Sequence, residues 1–348
     1  MDLFGIIKKV SYKPLFCKDL PEYYFDDLGR AINEHSSFIL KIDRSNSLAI
    51  SWWVSPKRTR SYPYARVYDT LNFTGKKITI IPVIKDEGKE GDRDFLQWDT
   101  VSLMSLLGVY VIIAYYSDAE KSNRYSHKIT NQRFEIGFIR DQINNIISFQ
   151  SDAVHWNTAH LGMVGQIAQK AIELYEEIST NLHVDMHSVN AAEERINEIL
   201  KGKDEFIDFS RTLAERAQKR EQKTIQPKEK LSGIKGTITI QNYLGGFYYI
   251  TADEIEIDRD TVFLVEGKHS ATNSLPSSED IKDGLLKMIL FTNLEEILIG
   301  GNNFKVGSVL KLTADNPINV KNLSVSQTET LKILQDESRT NNFLLKII

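Results

Sequence analysis

The segment Thr261-Val-Phe-Leu-Val-Glu-Gly-Lys-His-Ser270, or TVFLVEGKHS, is a short apolar run that ends in charged residues. Four consecutive apolar residues, Val262 to Val265, are typical of a buried strand. Side chains alternate along a strand, so Glu266 and Lys268 leave the apolar run on the same face. The segment therefore predicts a carboxylate and an ammonium together at the end of a core strand.

The preceding segment, ITADEIEID at residues 250–258, supplies a second carboxylate. It alternates apolar and polar residues, which favours a strand, and the short turn DRD joins it to TVFLVEGKHS. A hairpin of this kind places Asp253 near Glu266. Asp258 is an alternative second carboxylate, but it falls in the turn, so Asp253 is preferred.

Two converging carboxylates repel each other unless a cation lies between them. Hard oxygen ligands, few of them supplied by protein, suit Mg²⁺. Such an ion retains several waters and binds a phosphate oxygen, while a neighbouring lysine orients or deprotonates the attacking water. The pattern therefore favours hydrolysis of phosphodiester bonds.

These residues resemble the motif of the PD-(D/E)XK nuclease superfamily, which includes most type II restriction endonucleases. Asp253, the tripeptide Glu266-Gly-Lys268 at the end of an apolar strand, and a helix after it carry the resemblance, which covers about residues 233 to 315. Ala252 stands where the motif has proline. The resemblance implies that Asp253 and Glu266 ligate Mg²⁺ and that Lys268 assists the attacking water. The backbone carbonyl of Gly267 is expected to be an additional ligand.

A helix is predicted after the motif, in LPSSEDIKDGLLKMILF at residues 275–291. Ser277 and Asp280 form a capping pattern at its start, and apolar residues at helical spacing face the sheet. Its polar side carries Lys282 and Lys287. The resemblance places this helix at the border of the active site, with Lys282 as a candidate phosphate contact.

Composition indicates a folded globular protein. The chain has 348 residues, a length that is enough for two or three domains. Of these residues 41% are hydrophobic and 26% are charged, as in ordinary folded proteins. Its longest apolar runs fall short of the roughly 20 residues that a membrane helix needs, and the N-terminus lacks a signal pattern, so we expect a cytoplasmic protein without membrane contact. A net charge of −4 means that DNA contact requires a local basic surface. Cys17, the single cysteine, can form no internal disulfide.

The order of predicted elements indicates the α/β (α+β) class, with a restriction-endonuclease-like mixed-sheet core in the last third. Residues 1–150 are predicted as an α/β region with strands at FILKID, SLAISWWV, ARVYDTL, KKITIIPVI and VYVIIAYY and helices at WDTVSLMSLLG and about 131–149. Residues 151–231 are predicted as a region of three helices, the last ending in the charged run AERAQKREQK. Residues 232–348 form the predicted catalytic core, in the order strand, strand, strand, helix, strand.

Aromatic and basic residues alternate in SWWVSPKRTRSYPYAR at residues 51–66. Aromatic faces beside cations suit a base stack or a phosphate contact. The segment therefore predicts a DNA-recognition element whose contacts are Lys57, Arg58, Arg60 and Arg66. The alternative is a hairpin whose aromatic face packs in the core.

Two other patterns compete for a functional role. The acidic loop KDEGKEGDRD at residues 85–94 is either a second acidic site or a solvated turn, and the turn is preferred because no Glu-x-Lys closes the following strand. His183 and His187 have the spacing of a zinc pair on one helix face, but a third ligand is missing, so zinc is disfavoured.

We therefore predict a Mg²⁺-dependent, site-specific endonuclease that cuts double-stranded DNA as a homodimer, with residues 1–150 for recognition and the helical region as the dimer interface. One alternative is a non-catalytic module that binds nucleic acid or protein, in which Glu266 and Lys268 form only an ion pair. Another is a nuclease of the same fold that acts in repair or phage defence.

Overall fold

The computed structural model describes residues 1–200, 234–242, 247–272, 274–295 and 297–348. It confirms the α/β class, because helices alternate with sheets of mixed strand direction. The strands are β1 (Asp2–Ile7), β2 (Glu22–Tyr24), β3 (Ser37–Lys41), β4 (Ser47–Trp52), β5 (Lys77–Pro82), β6 (Ile84–Asp86), β7 (Arg93–Phe95), β8 (Val109–Ala114), β9 (Tyr116–Lys121), β10 (Ile129–Phe134), β11 (Ile234–Asn242), β12 (Phe247–Asp258), β13 (Thr261–Ser270), β14 (Ile297–Ile299), β15 (Asn302–Ala314) and β16 (Leu344–Ile347). The helices are α1 (Leu28–Glu34), α2 (Pro63–Tyr68), α3 (Trp98–Leu106), α4 (Ile136–Ser148), α5 (Ala153–Leu161), α6 (Val164–Leu182), α7 (Val189–Leu200), α8 (Ser278–Thr292) and α9 (Val325–Thr340).

The chain divides into two compact units rather than into the three predicted segments. Unit 1 combines Met1–Asp19 and Val67–Asn72 with Ala214–Ile348, and unit 2 combines Leu20–Arg66 with Phe73–Leu213. Helices α5 to α7 therefore belong with the N-terminal α/β region instead of forming a separate segment. Strand β1 belongs with the last third of the chain, because it pairs in parallel with β11.

Unit 1 contains a sheet that curls back on itself. Its order is β13-β12-β11-β1-β14-β15-β16, and β15 also pairs in parallel with β13. Helix α8 packs against β13 and β15. A Cβ atom at Gly284 of this helix would lie 2.8 Å from Leu310 Cδ1 and 3.1 Å from Lys268 Cε, so the glycine allows the helix to approach the sheet closely.

The predicted helix after the motif is present as α8. The Ser277 side chain accepts a hydrogen bond from the backbone N–H of Asp280, which satisfies one of the free donors of the first turn. Its apolar face is buried, as the helical spacing predicted; the buried residues of that face include Ile281, Leu285, Met288 and Ile289. The buried apolar face therefore fixes the orientation of α8 relative to the end of β13.

Unit 2 contains a five-stranded sheet in the order β2-β3-β4-β5-β8. Side chains of α5 cover the outer edge of β8. Val111 N–H donates to Asn157 Oδ1 at 2.7 Å, and Ile113 N–H donates to His160 Nε2 at 3.0 Å. Burial lowers the pKa of His160 to about 4, so the imidazole is neutral and accepts this hydrogen bond.

Two local predictions differ from the structure. ARVYDTL was predicted as a strand, but Pro63 begins helix α2, since the fixed φ of proline suits a first helical position. The helix predicted from about residue 131 begins only at Ile136, because residues 129–134 pair with β9 as β10. The charged run AERAQKREQK lies outside the described residues.

Within the described ranges, no helix has the length and hydropathy needed to cross a bilayer.

Candidate active site

Strands β12 and β13 bring the predicted carboxylates together. The two strands pair antiparallel from Asp258↔Thr261 to Glu254↔Val265, and the next step of this register places Asp253 opposite Glu266. Asp253 Oδ2 accepts a hydrogen bond of 2.8 Å from Gly267 N–H. Asp258 is exposed at the opposite end of the hairpin, so Asp253 is the carboxylate that lies beside Glu266.

Glu266 lies between two lysines. Its side chain is buried, and Oε1 lies 3.0 Å from Lys268 Nζ while Oε2 lies 2.6 Å from Lys287 Nζ. Lys268 comes from the same strand, as the alternation predicted. Lys287 comes from α8; the sequence placed it on the polar side of that helix but assigned it no role at the site.

A fifth charged residue, Asp283, completes the group. Its Oδ2 atom lies 2.6 Å from Lys268 Nζ. Asp283 and Lys287 are four residues apart on α8 and therefore share one helix face. We call Asp253, Glu266, Lys268, Asp283 and Lys287 the carboxylate–lysine cluster. It has three carboxylates and two ammonium groups, so it carries one net negative charge when all five residues are ionised.

The two central carboxyl groups have pKa values displaced in opposite directions. Burial, and then the charge of Asp253, raises the pKa of Glu266 to about 7. Burial also acts to raise the pKa of Asp253, but the charge of Lys287, the Gly267 N–H bond and the charge of Lys268 outweigh it, and the pKa falls below its ordinary value. Near neutral pH, Asp253 is therefore ionised while Glu266 is close to half protonated.

Both lysines of the cluster are charged. Burial alone would lower the pKa of each ammonium, but contact with Glu266 outweighs it and raises the pKa of both Lys268 and Lys287. Asp283 adds to this effect at Lys268. A charged lysine donates hydrogen bonds and offsets negative charge; it does not act as a base.

The donor set of the cluster fits a small, hard divalent cation. Among the residues that the structure describes, no group of three or more His, Cys, Asp or Glu residues is arranged around a metal position. Mg²⁺ commonly uses only one or two protein carboxylates and keeps its remaining waters, so Asp253 and Glu266 are sufficient. The net negative charge of the cluster is the imbalance that such a cation would relieve. The cation would compete with Lys268 or Lys287 for an oxygen of Glu266.

A second buried glutamate–lysine pair lies in the same sheet. Glu254 Oε1 is 2.8 Å from Lys311 Nζ, and both side chains are buried. Glu254 follows Asp253 directly, so it points to the opposite face of β12. The pair therefore consists of a glutamate and a lysine, as in the cluster, but it takes no part in the contact between Asp253 and Glu266.

The basic segment and the acidic loop of unit 2 neutralise each other. Arg60 pairs with Glu87 and Asp92, and its Nε atom lies 3.2 Å from Asp94. Arg58 lies 3.5 Å from Asp99. Arg60, one of the arginines predicted to contact DNA, is thus paired with the acidic loop considered as a second site, a long-range pairing that neither stretch reveals alone.

The other predicted DNA contacts have different surroundings. Arg66 lies over the Trp52 ring, 4.7 Å from its centroid, and donates to the Trp52 carbonyl at 2.9 Å. Lys282 does not lie on an exposed face of α8: it is buried, and its Nζ atom is 2.6 Å from Asp69. Lys57 is exposed. Of the five predicted cations, it alone keeps an exposed side chain.

The two histidines with zinc-like spacing do not share a helix face. Helix α6 ends at Leu182, and His183 follows it in a left-handed conformation with φ of 51°. His187 Nδ1 lies 2.8 Å from the buried carboxylate of Asp86, which also accepts a hydrogen bond from Gly88 N–H. His187 is therefore engaged by the β6–β7 hairpin.

An open cleft of about 610 Å³ in unit 2 is lined by Trp52 and Phe134 together with polar side chains of β9 and β10. These polar side chains bond to one another: Arg133 pairs with Asp118 and Glu120. The cleft therefore offers fewer unsatisfied groups to a ligand than its polar lining suggests.

Comparisons of the chain with protein-family models, with curated proteins and with solved structures found no match. The functional assignment therefore depends on the chemistry of the carboxylate–lysine cluster.

Proposed function

We propose that the chain is a Mg²⁺-dependent endonuclease that hydrolyses phosphodiester bonds of double-stranded DNA, with the carboxylate–lysine cluster of unit 1 as its active site. The main support is the contact between Asp253 and Glu266, a half-buried and a fully buried carboxyl group whose pKa values are displaced in opposite directions. Such displaced pairs are concentrated at sites of catalysis. The proposal agrees with the resemblance of Asp253, Glu266 and Lys268 to the PD-(D/E)XK motif.

The proposed reaction is attack of a water oxygen on phosphorus, with cleavage of the bond to the leaving sugar oxygen and formation of a phosphate monoester and a hydroxyl group. Asp253 and Glu266 would hold Mg²⁺, which when bound supplies charge neutralisation at the scissile phosphate and an activated water. The Lys268 ammonium would orient the water and offset the charge that develops on the phosphate oxygens. Since its pKa is raised, donation of hydrogen bonds is its proposed role.

Two further residues would act through these groups. Asp283 holds the Lys268 ammonium at 2.6 Å, and Lys287 holds the second oxygen of Glu266 at the same distance. Both would be positioning residues. Cleavage of both strands of a duplex favours two active sites related by a two-fold axis, so the proposed enzyme acts as a homodimer.

The test is cleavage of plasmid DNA with Mg²⁺ by the full chain and by Glu266→Gln and Lys268→Met. We expect each substitution to reduce the rate by about 10²- to 10⁴-fold. Glu254→Gln is the matched control, because it alters a buried, lysine-paired glutamate of the same sheet. Discrete fragments would support site-specific cutting, and a smear would support a non-specific nuclease of repair or defence. If the wild type cuts no duplex with Mg²⁺ or Mn²⁺, the proposal is abandoned.

One observation favours a non-catalytic alternative. Each oxygen of Glu266 is already paired with a lysine, as Glu254 is with Lys311, and a buried ion pair needs no metal to be stable. Under this alternative, the sheet is a scaffold for binding. Titration with Mg²⁺ separates the two proposals. If the wild type has a Mg²⁺-binding site and Glu266→Gln lacks it, the nuclease is favoured.

A further inference from the structure

The hairpin of β9 and β10 in unit 2 ends in a loop that carries cations and no acid. Residues 121–128, KSNRYSHK, contain Lys121, Arg124 and Lys128 together with Tyr125 and His127. We call residues 121–128 the hairpin tip. A local basic surface of this kind is what a chain of net charge −4 needs in order to bind a polyanion.

The cations of the tip differ from those at the base of the same hairpin. At the base, Arg133 lies 2.5 Å from Asp118 and 2.7 Å from Glu120 and is neutralised. Within the part of the chain that the structure describes, neither Arg124 nor Lys128 lies within ion-pair distance of a carboxylate. His127 is the member of the tip with an acidic neighbour, Glu90 at 3.6 Å. The tip therefore retains its positive charge.

Hydrogen bonds fix the backbone of the tip. Ser122 N–H donates to the Lys128 carbonyl at 2.9 Å, and Lys128 N–H donates to the Tyr125 carbonyl at 3.0 Å. Ser122 Oγ accepts from the N–H groups of Arg124 and Tyr125. A loop that is ordered before binding loses less conformational entropy when a ligand arrives.

Tyr125 holds two of the cations beside each other. The Arg124 guanidinium lies 5.3 Å and the Lys128 ammonium 5.7 Å from the centroid of its ring. Cations at these distances interact with the ring face. Because they already occupy it, the tip presents two charges rather than an open ring on which a base would stack.

We propose that the hairpin tip of unit 2 contacts the phosphate backbone of double-stranded DNA through Arg124 and Lys128. Duplex DNA carries one negative charge per roughly 1.7 Å of its axis. Two adjacent cations can therefore each be attracted to a phosphate, because the phosphates are closely spaced. Contacts of this type position a protein on DNA without reading sequence. The proposal concerns binding by unit 2 and goes beyond the proposed cleavage, since a chain that cuts nothing can still bind in this way.

The experiment measures binding of the full chain to a fluorescent duplex in EDTA, where no cleavage occurs, over a series of salt concentrations. Each phosphate contact contributes a slope of about 0.9 to the fall of log K with log salt. We expect Arg124→Gln with Lys128→Gln to reduce that slope by about 2 and to weaken binding about tenfold at moderate salt. The matched control is Arg44→Gln with Lys170→Gln, two exposed cations of the same unit. It should leave the slope unchanged.

Three outcomes would overturn the proposal: no binding of the duplex by the wild type at low salt, equal losses in both double variants, or an unchanged slope in the tip variant. Vesicles with phosphatidylserine are the competing ligand. If they bind while the duplex does not, and the tip variant loses that binding, the tip serves an anionic membrane surface instead. Failure of cleavage by the wild type would leave this measurement intact, so the two proposals are tested separately.

Discussion

Lys287 Nζ lies 2.6 Å from Glu266 Oε2, while Lys268 Nζ lies 3.0 Å from the other oxygen of the same carboxylate. One ammonium comes from helix α8 and the other from β13. The two lysines therefore hold one carboxylate from two separate elements, and their contributions can be separated by substitution.

We expect Lys287→Met to shift the pH profile of cleavage to higher pH. The charge of Lys287 lowers the pKa of Glu266, so its removal raises that pKa above about 7 and more alkali is needed to ionise the carboxyl group. Lys287→Arg should restore the profile. Lys268→Met should shift the profile in the same direction, because the charge of Lys268 also lowers that pKa, and should in addition reduce the rate at every pH, because it removes a group proposed to act on the water. Equal profiles for wild type and Lys287→Met would contradict the positioning role.

Binding of Mg²⁺ should release a proton near neutral pH. Glu266 has a pKa of about 7 and must be ionised to ligate a metal, so affinity should rise about tenfold per pH unit below 7 and level off above it. Calorimetry in buffers of different ionisation enthalpy measures the released proton. Glu266→Gln is the control. Affinity that stays constant from pH 5 to pH 8 would argue against Glu266 as a ligand.

Breaking the Glu254–Lys311 pair should destabilise the fold without affecting cleavage by the folded protein. Glu254→Leu leaves the Lys311 ammonium buried without this carboxylate. Breaking a buried pair in this way lowers the free energy of unfolding by about 3–5 kcal/mol. Adding Lys311→Met should recover most of this loss, since an apolar pair of similar volume is often neutral. Denaturant titration measures the free energy of unfolding. Cleavage per folded molecule should match wild type in the double variant.

Acid should reduce the contribution that His160, at the edge of β8, makes to the free energy of unfolding. Burial lowers the folded-state pKa of His160 to about 4, from an ordinary 6.5 in the unfolded chain. The unfolded chain therefore binds more protons between these values, and the contribution of His160 is complete above about pH 6.5 and is lost as pH falls through 4. The loss amounts to roughly 3 kcal/mol. His160→Gln does not titrate, so its free energy of unfolding should vary less with pH over this range.

The sequence predicted the parts of the cluster that depend on local geometry. Asp253, Glu266 and Lys268 lie on two strands joined by a short turn, so alternation along each strand and the length of the hairpin determine which side chains meet. The cap and the buried face of α8 follow from equally local rules. These features required no knowledge of distant parts of the chain.

The parts that the sequence did not predict depend on long-range packing. Lys287 and Asp283 reach the cluster only because α8 lies against the end of β13, and helical periodicity does not determine where a helix packs. Arg60 meets the acidic loop across more than 20 residues of intervening chain. Strand β1 pairs with a strand more than 200 residues away, which no pattern within either strand indicates.

Strand β1 leaves the ribosome long before its neighbours. Its partners β11 and β14 begin at Ile234 and Ile297, which is roughly ten seconds to a minute later at about 5–20 residues per second. All of unit 2 is synthesised in that interval. The sheet that carries Asp253 and Glu266 is therefore completed after unit 2 has been made, and a nascent chain that still lacks α8 and β14 has no assembled cluster. A nuclease built in this order would be harmless to nucleic acid near the ribosome until those elements have been synthesised.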